Sequence, residues 1–382
     1  VVRCLDRAHF GNVPDRGEVR IHAPIIGGAD PHPWPGRGAS PVGRLGQTRA
    51  PTVESLVLAV LQSKFDLSIP ARGPYWRIHR MIRKSGLPLA LVLAAFIAVP
   101  AAAQESPTLK KIKESGSITI GHRDSSMPFS YYDDKQQVIG YAQDICLKIV
   151  DAVKAELKMP NLKVVLNPVT SATRIPLMAN GTIDLECGST TNNLDRQKQV
   201  AFTNTHFVTA NRYVAKKSSN IKSLADLKGK TVVSTAGTTN LKWLVEENGK
   251  QNLGMSVLTA KDHAEAFLMV ETDRAVAFFM DDILLYSLVA SSKVPADFLI
   301  GAEAYSVEPY GIMMRRDDPG FKKVVDAATA QLYTSGGIVP IYNKWFLAPV
   351  PPKGVNLNVP ISAPLKNAFA KPTDSGDPAM YK

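Results

Sequence analysis

From Thr108 onward, short β-branched runs alternate with stretches of helical periodicity. Ser117 to Gly121 (SITIG) reads as a strand. Tyr141 to Leu157 reads as a helix, because Ile145, Ile149, Val150, Val153 and Leu157 recur on one face. Lys163 to Val169 (KVVLNPV) is the next expected strand. Ala172 to Ala179 is a short helix stopped at Asn180-Gly181, and Ile183 to Cys187 a further strand. Strand, helix, strand in repetition predicts an α/β domain with a mainly parallel sheet.

The pattern then restarts. Leu224 to Gly229 predicts a short helix ending at glycine, Thr231 to Ser234 a strand and Thr239 to Asn248 a helix. Met255 to Ala260, His263 to Val270, Ala275 to Met280 and Asp282 to Ser291 continue the alternation, with Asp282 expected to cap the last helix. Extended segments flank this second unit, Phe202 to Lys216 and Ala304 to Arg316. If both cross between lobes, residues 211–304 form a lobe inserted into one made of 104–210 and 305–382. Two crossings make a hinge that permits closure around a ligand. Asp318 to Phe346 is mostly helical, broken near Gly336-Gly337. The Pro-rich residues 347–382 are expected to lie over the surface or fray.

Upstream, Met81, Arg83 and Lys84 form a charged start, Leu87 to Val99 an apolar stretch, and Ala101-Ala102-Ala103 a run of small residues before Gln104. This is the layout of a secretory signal cleaved near Ala103. The apolar stretch is shorter than the roughly 20 residues a membrane span needs. Residues 1–80 are rich in Pro, Gly and Arg. The expectation is that translation starts at Met81 and that these residues are upstream sequence read in frame; a disordered N-terminal arm is the alternative.

Charge changes the picture little once it is divided. Residues 1–103 carry 13 Lys and Arg against 6 Asp and Glu, and the remainder 32 against 28. The mature part is thus only mildly basic, which argues against nucleic acid as a partner. Export implies an oxidising compartment. Cys146 would lie on a helix face and Cys187 at a strand end. Two buried free thiols are expected over a single bridge, since spacing alone supplies no bridge geometry.

Several polar residues follow expected strands directly: Arg123, Ser189, Thr191, Thr238, Thr239, His263 and Asp281. Ligands of open α/β sheets bind outside the carboxyl ends of the strands. Any single Ser or Thr here is more often a cap or turn former; convergence across five strands is what points to a cleft.

Gly121 to Cys146 (GHRDSSMPFSYYDDKQQVIGYAQDIC) resembles the opening of the glutamate/aspartate periplasmic binding proteins of ABC transporters, within the bacterial extracellular solute-binding proteins of family 3. So do Thr170 to Phe202, with its ECGSTTNN and RQ, and LADLKGKTVVSTAGTT, AKDHAEAF, RAVAFFMDDILL and EPYGIMMRRDDP. The match runs from about Thr108 to Phe346. The resemblance implies a type II periplasmic-binding fold, two lobes around a cleft with a two-strand hinge. It implies capture of L-glutamate or L-aspartate by a monomer that delivers it to importer permease subunits, without cofactor, metal or catalytic residues. Arg196 resembles the arginine that grips the ligand α-carboxylate, with Thr191 and Thr239 completing the grip. Asp281 resembles the partner of the α-ammonium, with Ser189 as second acceptor. Arg123, Ser171, Arg174 and His263 resemble the pocket for the side-chain carboxylate.

The charges are sensible on their own terms. Three arginines and one acid complement two carboxylates and one ammonium, and a guanidinium pairs with a carboxylate in a bidentate fork. Two other functions stay open at this level. A small-carboxylate dehydratase on the same fold could use His263 with a nearby Asp as acid and base, although no nucleophile, base and orienter series is visible. A receptor sensor domain would need a tether, and no stretch after Phe346 is long and apolar enough to span.

Overall fold

Helix α1 (Pro107–Ser115) opens the part of the chain described by the computed structural model, residues 106–382. The expected signal at 81–103 and the extension at 1–80 lie outside the described residues. Next come β1 (Ser117–His122), a small meander of β2 (Ser125–Ser126), β3 (Ser130–Tyr132) and β4 (Val138–Ile139), and α2 (Tyr141–Leu157). The first unit continues with β5 (Lys163–Pro168), α3 (Arg174–Ala179), β6 (Leu185–Glu186), α4 (Leu194–Gln197) and β7 (Val200–Phe202). Helix α2 forms because its periodic face is buried at Ile145, Ile149, Val150 and Val153, with Tyr141, Ala142 and Cys146 widening the stripe.

The chain then leaves through β8 (Phe207–Thr209) into β9 (Asn211–Lys216), β10 (Thr231–Thr235), α5 (Thr239–Lys250), β11 (Ser256–Ala260), α6 (His263–Glu271), β12 (Ala277–Asp281), α7 (Asp282–Ser291) and β13 (Phe298–Ile300). It returns through β14 (Glu308–Tyr310) and ends with β15 (Met313–Arg315), α8 (Pro319–Thr334), α9 (Ile338–Phe346) and α10 (Ala363–Ala370). Leu224 to Leu227 is a 3₁₀ turn rather than the expected α-helix. All five residues of β12 are buried, which fits a central strand covered on both faces.

Two five-stranded sheets result, in the orders β5-β1-β6-β15-β7 and β11-β10-β12-β9-β13. In the first, β1 pairs parallel with β5 and β6 while β15 runs antiparallel. In the second, β10 pairs parallel with β11 and β12 while β9 runs antiparallel. The two crossings pair with each other: β8 lies antiparallel to β14, with Phe207 opposite Tyr310 and Thr209 opposite Glu308. This two-strand ribbon is the hinge. Aromatic side chains support it from below, Phe207 stacking on Phe346 at 4.9 Å and meeting Phe129 edge-on at 5.0 Å.

One expectation fails here. Cys146 and Cys187 form a disulfide, with Cα atoms 6.2 Å apart. The parallel pairing of β1 with β6 sets the end of β6 over α2, a proximity that the residue spacing did not reveal. The tail lies over the surface, the first of the two expected alternatives, and part of it is anchored rather than frayed. Its helix α10 buries Leu365, Ala368 and Phe369, with Phe369 against Tyr333 at 4.9 Å, and Tyr381 is buried near the end. The tail's apolar residues are too few and too far apart to show periodicity, so α10 has no signal in the sequence. A further detail differs. Asp281 occupies the N-cap position of α7, whereas Asp282 is its first residue and pairs with Arg212 at 3.1 Å and Thr209 at 2.5 Å.

Candidate ligand-binding site

The nine candidate residues stand at the carboxyl ends of strands, in the loops that follow, or in the helices those loops lead into. Arg123 comes directly after β1. Ser171 precedes α3, and Arg174 is its first residue. Ser189 and Thr191 lie in the loop after β6, and Arg196 is in α4. From the other lobe, Thr239 and His263 begin α5 and α6, and Asp281 ends β12. Seven of them, Ser171, Arg174, Ser189, Thr191, Thr239, His263 and Asp281, line one cavity between the sheets, joined by Thr238, Asn240, Met280 and Leu284. Arg123 and Arg196 reach the same place through hydrogen bonds to the facing lobe. The cavity is only about 10 Å³, roughly one water, so the lobes meet side chain to side chain.

One glycine permits this closeness between the lobes, and a second leaves room within the first lobe. At Gly237, φ is +75°, and a Cβ would come within 2.7 Å of the Ser171 carbonyl oxygen across the cleft. A Cβ at Gly188 would press on Arg123 Cγ at 2.9 Å and on the Glu186 carboxylate. The ECGSTT and STAGTT strings therefore need glycine where they have it.

Arg123 and Arg174 are each 2 % exposed and Arg196 7 %. The Arg123 backbone N–H donates to Ser130 Oγ at 2.8 Å, and its Nη2 lies 3.5 Å from His263 Nε2 on the other lobe. His263 Nδ1 lies 2.9 Å from Thr235 Oγ1. Burial, then the charges of Arg123 and Arg174, hold the imidazole pKa well below its usual value. His263 is thus neutral, and since a guanidinium can only donate, Nε2 accepts and Nδ1 carries the proton. Arg174 Nη1 donates to Thr190 Oγ1 at 2.6 Å and to the Ser189 carbonyl at 3.2 Å. Arg196 Nη1 donates to the Thr191 carbonyl at 2.8 Å, and its Nη2 crosses to the Gly237 carbonyl at 3.2 Å. Burial and the like charge of Arg174 lower the Arg123 and Arg196 guanidinium groups to about 10, still charged at neutral pH. Arg123 Nη1, Arg174 Nε and Ser171 Oγ are buried without a hydrogen-bond partner.

Asp281 accepts from Asn240 Nδ2 at 2.7 Å and from the Tyr310 hydroxyl. Burial, followed by the charge of Glu308, pushes it up to about 7. Thr239 Oγ1 donates to Glu308 Oε2 at 3.0 Å, so this hydroxyl ties α5 to the hinge strand β14.

The sequence missed two acids. Glu186 is fully buried, accepts from Thr190 Oγ1, and its charge favours the ionised forms of Arg123 and Arg174. Glu308 is 5 % exposed. The cluster therefore holds three arginines and three carboxyl groups, rather than three against one. Glu186 follows the strand signal inside ECG and could have been found by asking what offsets two neighbouring buried guanidiniums. From the sequence, Tyr310, like Tyr131 and Tyr132, reads equally as cleft lining or core packing, and its hydroxyl reaches Asp281; Asn240 carried no signal beyond its place next to Thr239.

Two lobes on a two-strand hinge, with charged residues from both sides converging between them, define a protein that captures a small polar solute. The chain belongs to the bacterial extracellular solute-binding proteins, family 3, whose model matches residues 118–348. The L-glutamate/L-aspartate-binding protein of Pseudomonas aeruginosa is 53 % identical, over 76 % of this chain and 96 % of that protein. The glutamate/aspartate import solute-binding protein of Escherichia coli K12 is 49 % identical, over 75 % and 95 %. Among solved structures, an ancestral arginine-binding protein bound to arginine is 28 % identical with a TM-score of 0.55, covering 60 % of this chain and 98 % of that one. A mutant of the Thermotoga maritima protein ArgBP is 25 % identical with a TM-score of 0.56, covering 62 % and 98 %. The chain is a solute-binding protein and not an enzyme of the dehydratase kind.

Proposed function

We propose that this protein binds L-glutamate or L-aspartate and delivers it to an ABC-type importer in the membrane. The observation that carries this is the imbalance of unpaired groups at the site: Arg123 Nη1, Arg174 Nε and Ser171 Oγ are buried without a hydrogen-bond partner, against one unpaired carboxylate oxygen, Glu186 Oε1. A second carboxylate on the ligand supplies the missing acceptors. A glutamine amide offers its oxygen but turns two N–H donors toward guanidiniums, and each buried donor left unmatched costs about 1–3 kcal/mol.

The roles are those the family resemblance implies, and the charges are compatible with them. Arg196, with Thr191 and Thr239, takes the α-carboxylate. Asp281, with Ser189, takes the α-ammonium, and Glu308 adds negative charge beside it. Arg123, Arg174, Ser171 and neutral His263 take the side-chain carboxylate. Capture proceeds from an open form, because a cavity of about 10 Å³ admits no amino acid. The ligand bridges the lobe of residues 104–210 and 305–382 and the lobe of 211–304. It therefore binds the closed form better and shifts the population toward it. Residues 81–103 act as a cleaved signal, and the mature protein works in the periplasm. The relatives named for glutamate and aspartate support the same reading.

The test is a thermal-shift panel of amino acids on wild type, Arg174→Ala and Arg196→Ala. L-glutamate and L-aspartate should stabilise the wild type most. Arg196→Ala should abolish every response, whereas Arg174→Ala should weaken acidic ligands far more than neutral ones. Equal losses for acidic and neutral ligands in Arg174→Ala would remove it from the side-chain pocket.

A further inference from the structure

The C-terminal tail touches the loop that bears Arg196 and Thr191. The Asp374 carbonyl accepts from Asn192 Nδ2 at 2.8 Å and from Gln197 Nε2 at 2.9 Å. Gln197 Nε2 also donates to Asn192 Oδ1 at 2.9 Å, so the two amides and one tail carbonyl form a closed set. Gly376 is buried against the backbone of the same loop. A Cβ there would come within 2.8 Å of the Asn193 carbonyl carbon and 3.0 Å of Leu194 N. The tail is fastened at both ends of this contact. The Thr373 carbonyl accepts from Thr205 N at 2.8 Å, and Tyr381 meets Thr205 Oγ1 at 2.8 Å while donating to the Ser375 carbonyl at 2.9 Å. Asp377 to Met380 between them are exposed.

This loop needs outside support. Helix α4 is a single turn, and Asn193 caps it by accepting from Arg196 N at 2.9 Å. One turn does not hold itself together in water. Asn193 is also the residue on which Gly376 rests. The other flank is held by the Pro309 carbonyl, which accepts from Asn192 N at 2.7 Å, and by the bridge of Thr191 to Tyr310. The loop thus lies between hinge strand and tail, with the Arg196 guanidinium pointing to Gly237 in the cleft.

The geometry points to a role for residues 372–381 as a positioning element of the ligand site: the C-terminal segment sets the α4 turn so that Arg196 and Thr191 face the cleft. This rests on the reading that these two residues take the α-carboxylate. Because every α-amino acid has that group, the tail governs affinity without selecting among side chains.

Two variants of the full chain test it, Gly376→Ala and a form ending at Lys371, with Lys371→Ala as the control. Amide hydrogen exchange over residues 191–197 is read without ligand, and L-glutamate and L-aspartate binding by calorimetry. Both variants should exchange faster at 191–197 than the control while α2 keeps its protection. Both should lose about tenfold or more in affinity, the size expected when buried hydrogen-bonded support is lost. The loss should be equal for the two ligands and appear in the dissociation rate. The peptide of residues 372–382, added to the shortened form, should restore binding in part. Unchanged exchange at 191–197 in both variants overturns the proposal, whatever the ligand proves to be. Faster exchange with unchanged affinity also overturns it. A wild type that binds neither acidic amino acid, with exchange responding as expected, refutes the ligand assignment and leaves the support of α4 standing.

Discussion

Reducing the Cys146–Cys187 bridge should cost the protein a definite amount of stability. The bridge spans 41 residues of sequence. Closing a loop of that length in the unfolded chain corresponds to about 4 kcal/mol at 25 °C in the chain-entropy treatment. With a urea m-value of about 3 kcal/mol/M, the unfolding midpoint should fall by about 1.3 M. The function is placed close to this link. Cys187 is two residues before Ser189, its carbonyl accepts from Gln143 Nε2 at 2.8 Å, and Gln143 also reaches Ser130 Oγ, the group that receives the Arg123 N–H. The assay is urea unfolding with and without a reductant, with alkylation and mass measurement to count thiols. Cys146→Ala/Cys187→Ala should match the reduced protein. Two free thiols in the unreduced, denatured protein, or a midpoint that reduction leaves in place, would refute the reasoning.

Four further outcomes follow from the site. The ligand ammonium favours ionised Asp281, which otherwise titrates at about 7, so capture should release protons at neutral pH. Affinity should then rise about tenfold from about pH 6 to pH 8, with Asp281→Asn flat over the interval; a falling affinity contradicts the assignment. By the same linkage, the folded carboxyl holds its proton more tightly than the unfolded one. The ligand-free protein should therefore lose stability as pH rises from about 4 to about 7. Glu186→Gln leaves Arg123 and Arg174 without their nearest offsetting charge and should destabilise the free protein by about 3–5 kcal/mol. L-glutamate should then give a larger thermal shift than in wild type while L-glutamine does not, and a loss under about 1 kcal/mol would show that Glu186 carries no such burden. Gly237→Val places a side chain on the Ser171–Ala172 backbone across the cleft and should raise the ligand dissociation rate by hindering closure. An unchanged rate would mean that the lobes do not come this close in solution.

The sequence carried the fold well because its signals are local. The face of α2, the β-branched runs of β1 and β10 and the caps before α5 and α6 each act over a few residues, and their alternation allows few arrangements. Of the candidate site residues, Arg123, Ser189, Thr191, Thr239, His263 and Asp281 could be picked out because strand ends are where such sheets bind, whereas Ser171, Arg174 and Arg196 came only with the family resemblance. What the sequence hid was long-range. Glu186 looks like any strand residue until two guanidiniums are seen beside it. Glu308 reaches the site only because the hinge strands pair, and the same pairing decides for Tyr310 between cleft and core. The bridge between Cys146 and Cys187 depends on which strand follows β1 in the sheet. The tail from Thr373 to Tyr381 has no periodicity, because carbonyls and one glycine make its contacts with the α4 loop.

Calorimetric titration of the mature protein with L-glutamate, L-aspartate and L-glutamine is the most direct test of the central claim. The account predicts that both acidic ligands bind at least about tenfold more tightly than glutamine, whose amide mismatches the Arg123 and Arg174 donors. Glutamine binding as tightly as glutamate, or more tightly, would contradict it.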